Sequence, residues 1–224
     1  MKILVLADIH GERQALSKVI DGADKKVDLV VCPGDFTDMF NIPQDFTQMD
    51  VANLVIQQLL AIGRPVLCVP GNHDPYEIID LFRSYGINLH GNVEKRGTTS
   101  FLGFGGAATP FNTIIEPSEK EIVAWLDKLS PKASGRFVLV VHNPPKNTKL
   151  DKIKAGHVGS QAIRDFIEAK KPVLVLSAHI HENAGEDKIG TSTIFYPGPV
   201  YEGYYGVVEI KDGRVSCESK QVKL

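Results

Sequence analysis

Short apolar runs, each closed by a turn rich in Gly, Asp, Asn or His, alternate with amphipathic stretches along the first hundred residues. Ile3–Ala7 is the first run and ends in Asp-Ile-His-Gly; a helical stretch follows, with Ala15, Leu16, Val19 and Ile20 on one face. Asp28–Cys32 is the second run and ends in Pro-Gly-Asp. Val51–Ile62 predicts a helix, with Leu54, Val55, Gln58 and Leu59 at helical spacing, and Pro65–Val69 is a third run ending in Pro-Gly-Asn-His-Asp. Strands alternating with helices in this way predict right-handed βαβ units and a sheet that begins parallel.

The second half is richer in strand. Thr99–Phe104 is extended up to Gly105-Gly106, and Phe137–Val141 is an apolar run ending in His-Asn-Pro-Pro. Ser118 to Leu129 predicts a helix, with Ser118 as N-cap, Glu121 placed for a capping box, and Ile122, Trp125, Leu126 and Leu129 inward. Ser160–Ala169 is a further helix, and Pro172–Leu176 is a run ending in Ser-Ala-His-Ile-His. Thr191–Tyr196, Tyr205–Ile210 and Arg214–Ser219 close the chain as strands, the last two joined by a hairpin signal at Lys211-Asp212-Gly213. No repeat, low-complexity tract or linker interrupts the pattern, so residues 1–224 read as one domain.

Composition narrows the function classes. With 224 residues, 43% hydrophobic and 23% charged, the chain has the profile of a globular protein that needs no metal to hold its core together. Lys and Arg number 25 against 27 Asp and Glu, so no basic excess exists for coating long nucleic acid. Cys32, Cys68 and Cys217 show no CxxC spacing and read as small reduced packing residues. The opening apolar run is too short for a signal peptide, and no run approaches the ~20 residues of a membrane span. The expectation is a cytoplasmic protein that uses no membrane.

Five separate runs end in residues that can bind a metal or titrate: Asp8 and His10, Asp35, Asn72 and His73, His142, then His179 and His181. In an α/β sheet, ligands gather beyond the carboxyl ends of the strands, so these side chains are expected to converge on one edge. Two Asp, one Asn and four His can furnish two adjacent cation sites sharing a carboxylate, with His73 left over. Imidazole, carboxylate and amide donors without thiolate suit Mn²⁺, Fe, Zn²⁺, Ni²⁺ or Co²⁺, of which Mn²⁺ is the first expectation. Two such ions keep the cluster positive, which attracts phosphate and activates water.

Asp-Ile-His at 8–10, Gly-Asp-Phe-Thr-Asp at 34–38, Gly-Asn-His-Asp at 71–74, His142 and Ala-His-Ile-His at 178–181 resemble the calcineurin-like metallophosphoesterase superfamily. They match its D-x-H, G-D-x-x-D, G-N-H-[DE], H and G-H-x-H blocks in order. The resemblance implies a four-layer α/β/β/α sandwich of two mixed sheets, with a dimetal site at the strand ends. It also implies one metal on Asp8, His10, Asp35 and His181, and a second on Asp35, Asn72, His142 and His179. Asn72 would help to stabilise the phosphoryl oxygens and His73 would serve the leaving oxygen. Asp38 would orient His73, or else cap a turn.

The implied activity is hydrolysis of a small phosphoester by a metal-bridging hydroxide, a diester ahead of a monoester. A nucleotide is among the candidate substrates, and the oligomeric state is open. The alternative is a scaffold of the same fold, as in the retromer coat, where the ligand positions have degraded; here each is filled. Two departures stand out: Ala178 replaces the usual Gly, which suggests a different turn, and Met39-Phe40 replaces the Arg-Gly of protein serine/threonine phosphatases. His157, ahead of a helix, reads equally as an anion contact or a surface residue. His90 reads as structural and Arg13 as a solvated helix residue. Tyr196, Tyr201, Tyr204 and Tyr205 read as sheet-edge packing ahead of a pocket wall.

Overall fold

Alternate side chains of the central strands face two different cores, and this alternation sets the layers of the computed structural model, which describes residues 1–133 and 135–224. The strands are β1 (Lys2–Val5), β2 (Leu29–Cys32), β3 (Val66–Cys68), β4 (Asn92–Arg96), β5 (Thr99–Phe104), β6 (Phe137–Val141), β7 (Lys152–Ile153), β8 (Gly156–His157), β9 (Leu174–Leu176), β10 (Gly185–Ile189), β11 (Ser192–Tyr196), β12 (Tyr204–Lys211) and β13 (Arg214–Gln221). The helices are α1 (Arg13–Gly22), α2 (Gln48–Leu60), α3 (Ile78–Ser84), α4 (Glu119–Leu129) and α5 (Gln161–Lys170). Among the described residues, no helix is long and apolar enough to cross a membrane.

One sheet runs β13-β12-β1-β2-β3, with β1, β2 and β3 parallel and the β12–β13 hairpin antiparallel at its side. The other runs β10-β11-β9-β6-β5-β4, parallel at its centre with antiparallel edge strands β4 and β10. Ile3, Val5, Leu29 and Val31 meet Phe101, Val138, Val140 and Leu174 between the sheets. Leu4, Val30 and Cys32 face α1, α2 and α3 on one outside, while Leu139, Val141 and Val175 face α4 and α5 on the other. The expected four-layer arrangement of two mixed sheets is therefore the observed one. Each fully buried Leu, Ile or Val contributes roughly 1.5–3 kcal/mol, so the two stacked sheets are held mainly by this apolar layer.

The helix over Ser118 to Leu129 has its capping box: the Ser118 hydroxyl accepts from the Glu121 N–H, and Glu121 answers at the Ser118 N–H, 2.8 Å away. The α2 helix starts three residues before the expected Val51, because Thr47 and Asp50 form a second capping box. Its buried face is Val51, Ala52, Val55, Ile56 and Leu59, which leaves Leu54 and Gln58 at the margin. Asp212 (φ 49°) and Gly213 (φ 83°) make the tight left-handed turn between β12 and β13. Strands β4 and β10 escape a periodicity reading because edge strands need no continuous apolar face, and α3 is too short to show one.

Candidate metal centre

Strands β1, β2, β3, β6 and β9 deliver their following residues to one place. Backbone pairing continues past the strand ends: the N–H groups of Ile9 and His10 donate to the Asp35 carbonyl at 2.8 and 3.0 Å, and Gly11 N–H to Phe36 O at 2.9 Å. Likewise Ala178 N–H reaches the His142 carbonyl at 3.0 Å. Asp8 (φ 51°), His10 (φ 50°), Asp35 (φ 54°) and His179 (φ 80°) all adopt left-handed backbone, which side chains bearing a Cβ rarely do. The sharp reversal turns each side chain over the strand end. The turn at 178–181 places its left-handed residue at His179, so Ala178 meets no such demand in place of glycine.

Two donor clusters share one carboxylate. Asp8, His10, Asp35 and His181 bring donor atoms within 4.8 Å of one another, and so do Asp35, His142 and His179. Asp35 Oδ2 lies 3.4 Å from His10 Nε2 and 3.2 Å from His142 Nε2. His10 Nε2 and His181 Nε2 are 3.3 Å apart, and Asn72 Oδ1 is 2.9 Å from His142 Nε2. Asp8 Oδ2 is buried with no hydrogen-bond partner. A buried carboxylate beside convergent imidazoles, with one oxygen lacking a hydrogen-bond partner, is what a bound cation would satisfy. The donor set contains no sulfur, so the residues fit divalent ions of the oxygen- and nitrogen-loving kind.

Outer contacts orient the rings. His142 Nδ1 donates to the Pro33 carbonyl at 2.8 Å, which turns Nε2 toward Asp35 and Asn72. His181 Nδ1 meets the Tyr201 hydroxyl at 2.9 Å. His73 Nδ1 lies 3.1 Å from Asp38 Oδ1, and the same oxygen accepts the Phe40 N–H at 2.9 Å. Asp38 therefore both holds the histidine and closes a turn. Burial pushes His142 down, but the Asp35 charge and hydrogen bond outweigh it and lift it to about 9. Burial and the neighbouring His142 charge push His179 down to about 3. Asp35 ends below the usual carboxylate range: burial alone would raise it, and the charges of His142 and His10 overcome that.

Asp74, which the sequence reading passes over, ties two of the turns together. Fully buried, it accepts from Gly71 N–H (2.8 Å), Phe36 N–H (3.2 Å), Thr37 N–H (2.9 Å) and the Thr37 hydroxyl (2.9 Å). Burial, followed by the charge of Asp35, raises it to about 6. Its type and place inside Gly-Asn-His-Asp were visible in the sequence; its four donors were not.

A cleft of about 270 Å³ opens beside the first cluster, lined by His10, Glu12, Asp38, Phe40, Asn41, His73, His181 and Tyr201. No lysine or arginine is among these residues. Phe40 and Asn41 come from the irregular loop 36–50, as its place after a ligand turn leads one to expect, whereas Glu12 carries no such sequence signal; Phe40 stands 67% exposed with its ring edge-on to His73. The tyrosines divide. Tyr201 is a wall, Tyr196 is buried near Asp8, and Tyr205 packs into the helix-side core, so sheet-edge packing does not describe the set. His157 is held by Asp151 at 2.7 Å and lies outside the cleft lining. His90 accepts from Gly105 N–H and stacks on Phe104; Arg13 bonds Gln58.

Known proteins share this sequence pattern and this fold. A family model described as calcineurin-like phosphoesterase matches residues 1–183. An uncharacterized protein of Methanocaldococcus jannaschii is 36% identical, with 95% of this chain and 96% of the relative covered. The crystal structure of TT1561 from Thermus thermophilus superposes with a TM-score of 0.75 at 20% identity, covering 99% of each chain. A 5′-nucleotidase precursor from the same organism gives a TM-score of 0.58 at 12% identity, over 99% of this chain and 54% of its own. Likeness at these identities concerns the fold.

Proposed function

Because the chain belongs to the calcineurin-like phosphoesterase family, we propose that it hydrolyses small phosphoesters with two divalent ions, diesters ahead of monoesters. The observation that carries this reading is Asp35, whose Oδ2 lies within 3.4 Å of His10 Nε2 and 3.2 Å of His142 Nε2 and so belongs to both donor clusters. Asp8, His10, Asp35 and His181 would hold one ion; Asp35, Asn72, His142 and His179 would hold the other. When bound, such a pair supplies an activated water and neutralises charge on the phosphoryl oxygens. Imidazole, carboxylate and amide donors admit Mn²⁺, Fe, Zn²⁺, Ni²⁺ or Co²⁺, and Mn²⁺ is the ion taken first for the test.

The remaining work falls to the chain. His73, with Nδ1 engaged by Asp38, has Nε2 as its free nitrogen and lines the cleft, so it gives a proton to the departing oxygen. Asp38 keeps that ring in the useful tautomer and balances its positive form. Preference for a diester follows from charge. Glu12 and Asp38 line the cleft and no lysine or arginine does, so a dianionic monoester meets more repulsion than a monoanionic diester. A cleft of about 270 Å³ suits one small ester, nucleotides included, rather than a long strand.

The test is the initial hydrolysis rate of bis-p-nitrophenyl phosphate and p-nitrophenyl phosphate on chelator-stripped protein, with and without Mn²⁺. The expected result is a Mn²⁺-dependent rate favouring the diester, lowered roughly 10²–10⁴-fold by His73→Ala. Preference for the monoester would remove the diester part; no metal-dependent rate on either ester, nor on a nucleotide panel, would defeat the proposal.

A further inference from the structure

We propose that Thr113, held by Glu116, is a positioning residue that decides which end of the Asn72 amide faces the second donor cluster. The inference rests on the proposed role of Asn72 as a cation ligand.

An asparagine amide is nearly symmetric in shape but not in chemistry: one end accepts hydrogen bonds and the other donates. Only the oxygen can bind a cation, so an amide free to turn would present the wrong atom part of the time. Glu116 removes that freedom two contacts away. Its Oε1 accepts from the Thr113 hydroxyl, from the Thr113 N–H at 2.7 Å and from the Thr109 hydroxyl at 2.7 Å. A carboxylate is an acceptor only, and a hydroxyl has one proton; with Thr109 Oγ1 also 3.3 Å from Thr113 Oγ1, the Thr113 proton is used on Glu116 or Thr109 and is not left for Asn72. Thr113 Oγ1 then meets Asn72 Nδ2, 3.1 Å away, with lone pairs alone, and only the amide NH₂ can answer. The Asn72 oxygen must therefore point the other way, where it stands 2.9 Å from His142 Nε2. The same loop clasps the Asn72 backbone, since the N–H groups of Ile114 and Ile115 donate to its carbonyl at 2.9 and 3.2 Å.

The experiment is Mn²⁺ binding to the full chain after chelator treatment, by calorimetry and by the electron paramagnetic resonance signal of a coupled Mn²⁺ pair. Thr113→Val, Thr113→Ser and Glu116→Gln are compared with the wild type, and thermal melts with chelator check folding. Thr113→Val keeps the shape and removes the acceptor; the expected result is one of two ions bound about 10- to 100-fold more weakly, the other unchanged, and the coupled signal diminished. Thr113→Ser should behave as the wild type. Glu116→Gln lets the relay run in reverse and should weaken the same ion, which keeps the test alive if Thr113→Val does not fold. Two ions bound normally by Thr113→Val, both ions weakened alike, or a Thr113→Ser defect equal to that of Thr113→Val would overturn the inference. Failure of the wild type to bind two ions would overturn the parent proposal and this one with it.

Discussion

Replacing Asp74 with alanine is the perturbation that most directly tests how the ligand turns are held. The substitution leaves three backbone N–H donors, those of Phe36, Thr37 and Gly71, without their acceptor in a fully buried place. Orphaned buried donors cost about 1–3 kcal/mol each. Two effects offset part of this. Asp74 is raised to about 6 by burial and by Asp35, so removing the ionised group at neutral pH relieves about 3 kcal/mol. A water entering the vacated space can also serve two donors. The net expectation is a loss of about 2–4 kcal/mol at pH 7.5, measured by urea denaturation with chelator present.

The pH dependence sharpens the prediction. A carboxyl raised in the folded state adds stability at low pH and loses it as pH climbs through its folded value, here about 6. The wild type therefore gains on Asp74→Ala on going from pH 7.5 to 5, by about 1 kcal/mol. Asp74→Asn, which can still accept from one pair of donors, should lose less than the alanine variant. A loss under about 1 kcal/mol for Asp74→Ala, or a difference that shrinks toward pH 5, would refute the account of Asp74 as the tie between the two turns.

Three further outcomes follow from the geometry. His142, held near 9, carries a proton at neutral pH that a cation would have to displace, so Mn²⁺ affinity should rise with pH from 6 to 9; calorimetry in buffers of different ionisation enthalpy should detect proton release, and none at pH 7 would contradict the assignment. Gly34→Ala places a Cβ 2.5 Å from His142 Nδ1 at φ 113°, whereas Gly63→Ala at φ 72° meets nothing within 4 Å. Both should lower thermal stability through backbone strain, but only Gly34→Ala should also abolish tight Mn²⁺ binding. Lys171, left-handed (φ 52°) at the end of α5, should give a protein more stable by about 0.5–1 kcal/mol as Lys171→Gly in a urea titration.

Most of this was legible in the sequence because strand ends carry their chemistry with them. Each apolar run stops at the residue that turns over the sheet, so Asp8, Asp35, Asn72, His142 and His179 could be placed on one edge without coordinates. The chemical type of the donors was equally plain. What stayed hidden depends on contacts between distant segments. Asp74 looks like any turn aspartate until the N–H groups of Phe36 and Thr37 arrive from 38 and 37 residues away. Thr113 and Glu116 sit in a loop whose spacing carries no periodic signal, and their meaning comes only from Asn72, 41 residues earlier. Tyr201 read as packing because a tyrosine beside a strand usually is; its hydroxyl on His181 gives it a second task.

The strain at the site and its buried charge have one origin. A strand that must hand its chain straight to a loop, while pointing a ligand over the sheet edge, needs a residue that reverses the backbone at that position. Glycine would reverse it without strain, but glycine has no side chain to offer a cation. Asp8, His10, Asp35 and His179 therefore accept left-handed backbone, at about 1–2 kcal/mol each. That is tolerable only where the surroundings leave no alternative. Here the paired N–H groups of Ile9, His10 and Gly11, and the four donors on Asp74, leave none. The turns are therefore formed before any ion arrives, and Asp8 Oδ2 is a buried atom of the site that a cation would partner. Cation binding should then raise the melting temperature while leaving the backbone amides of these turns as protected from exchange as they are in chelator.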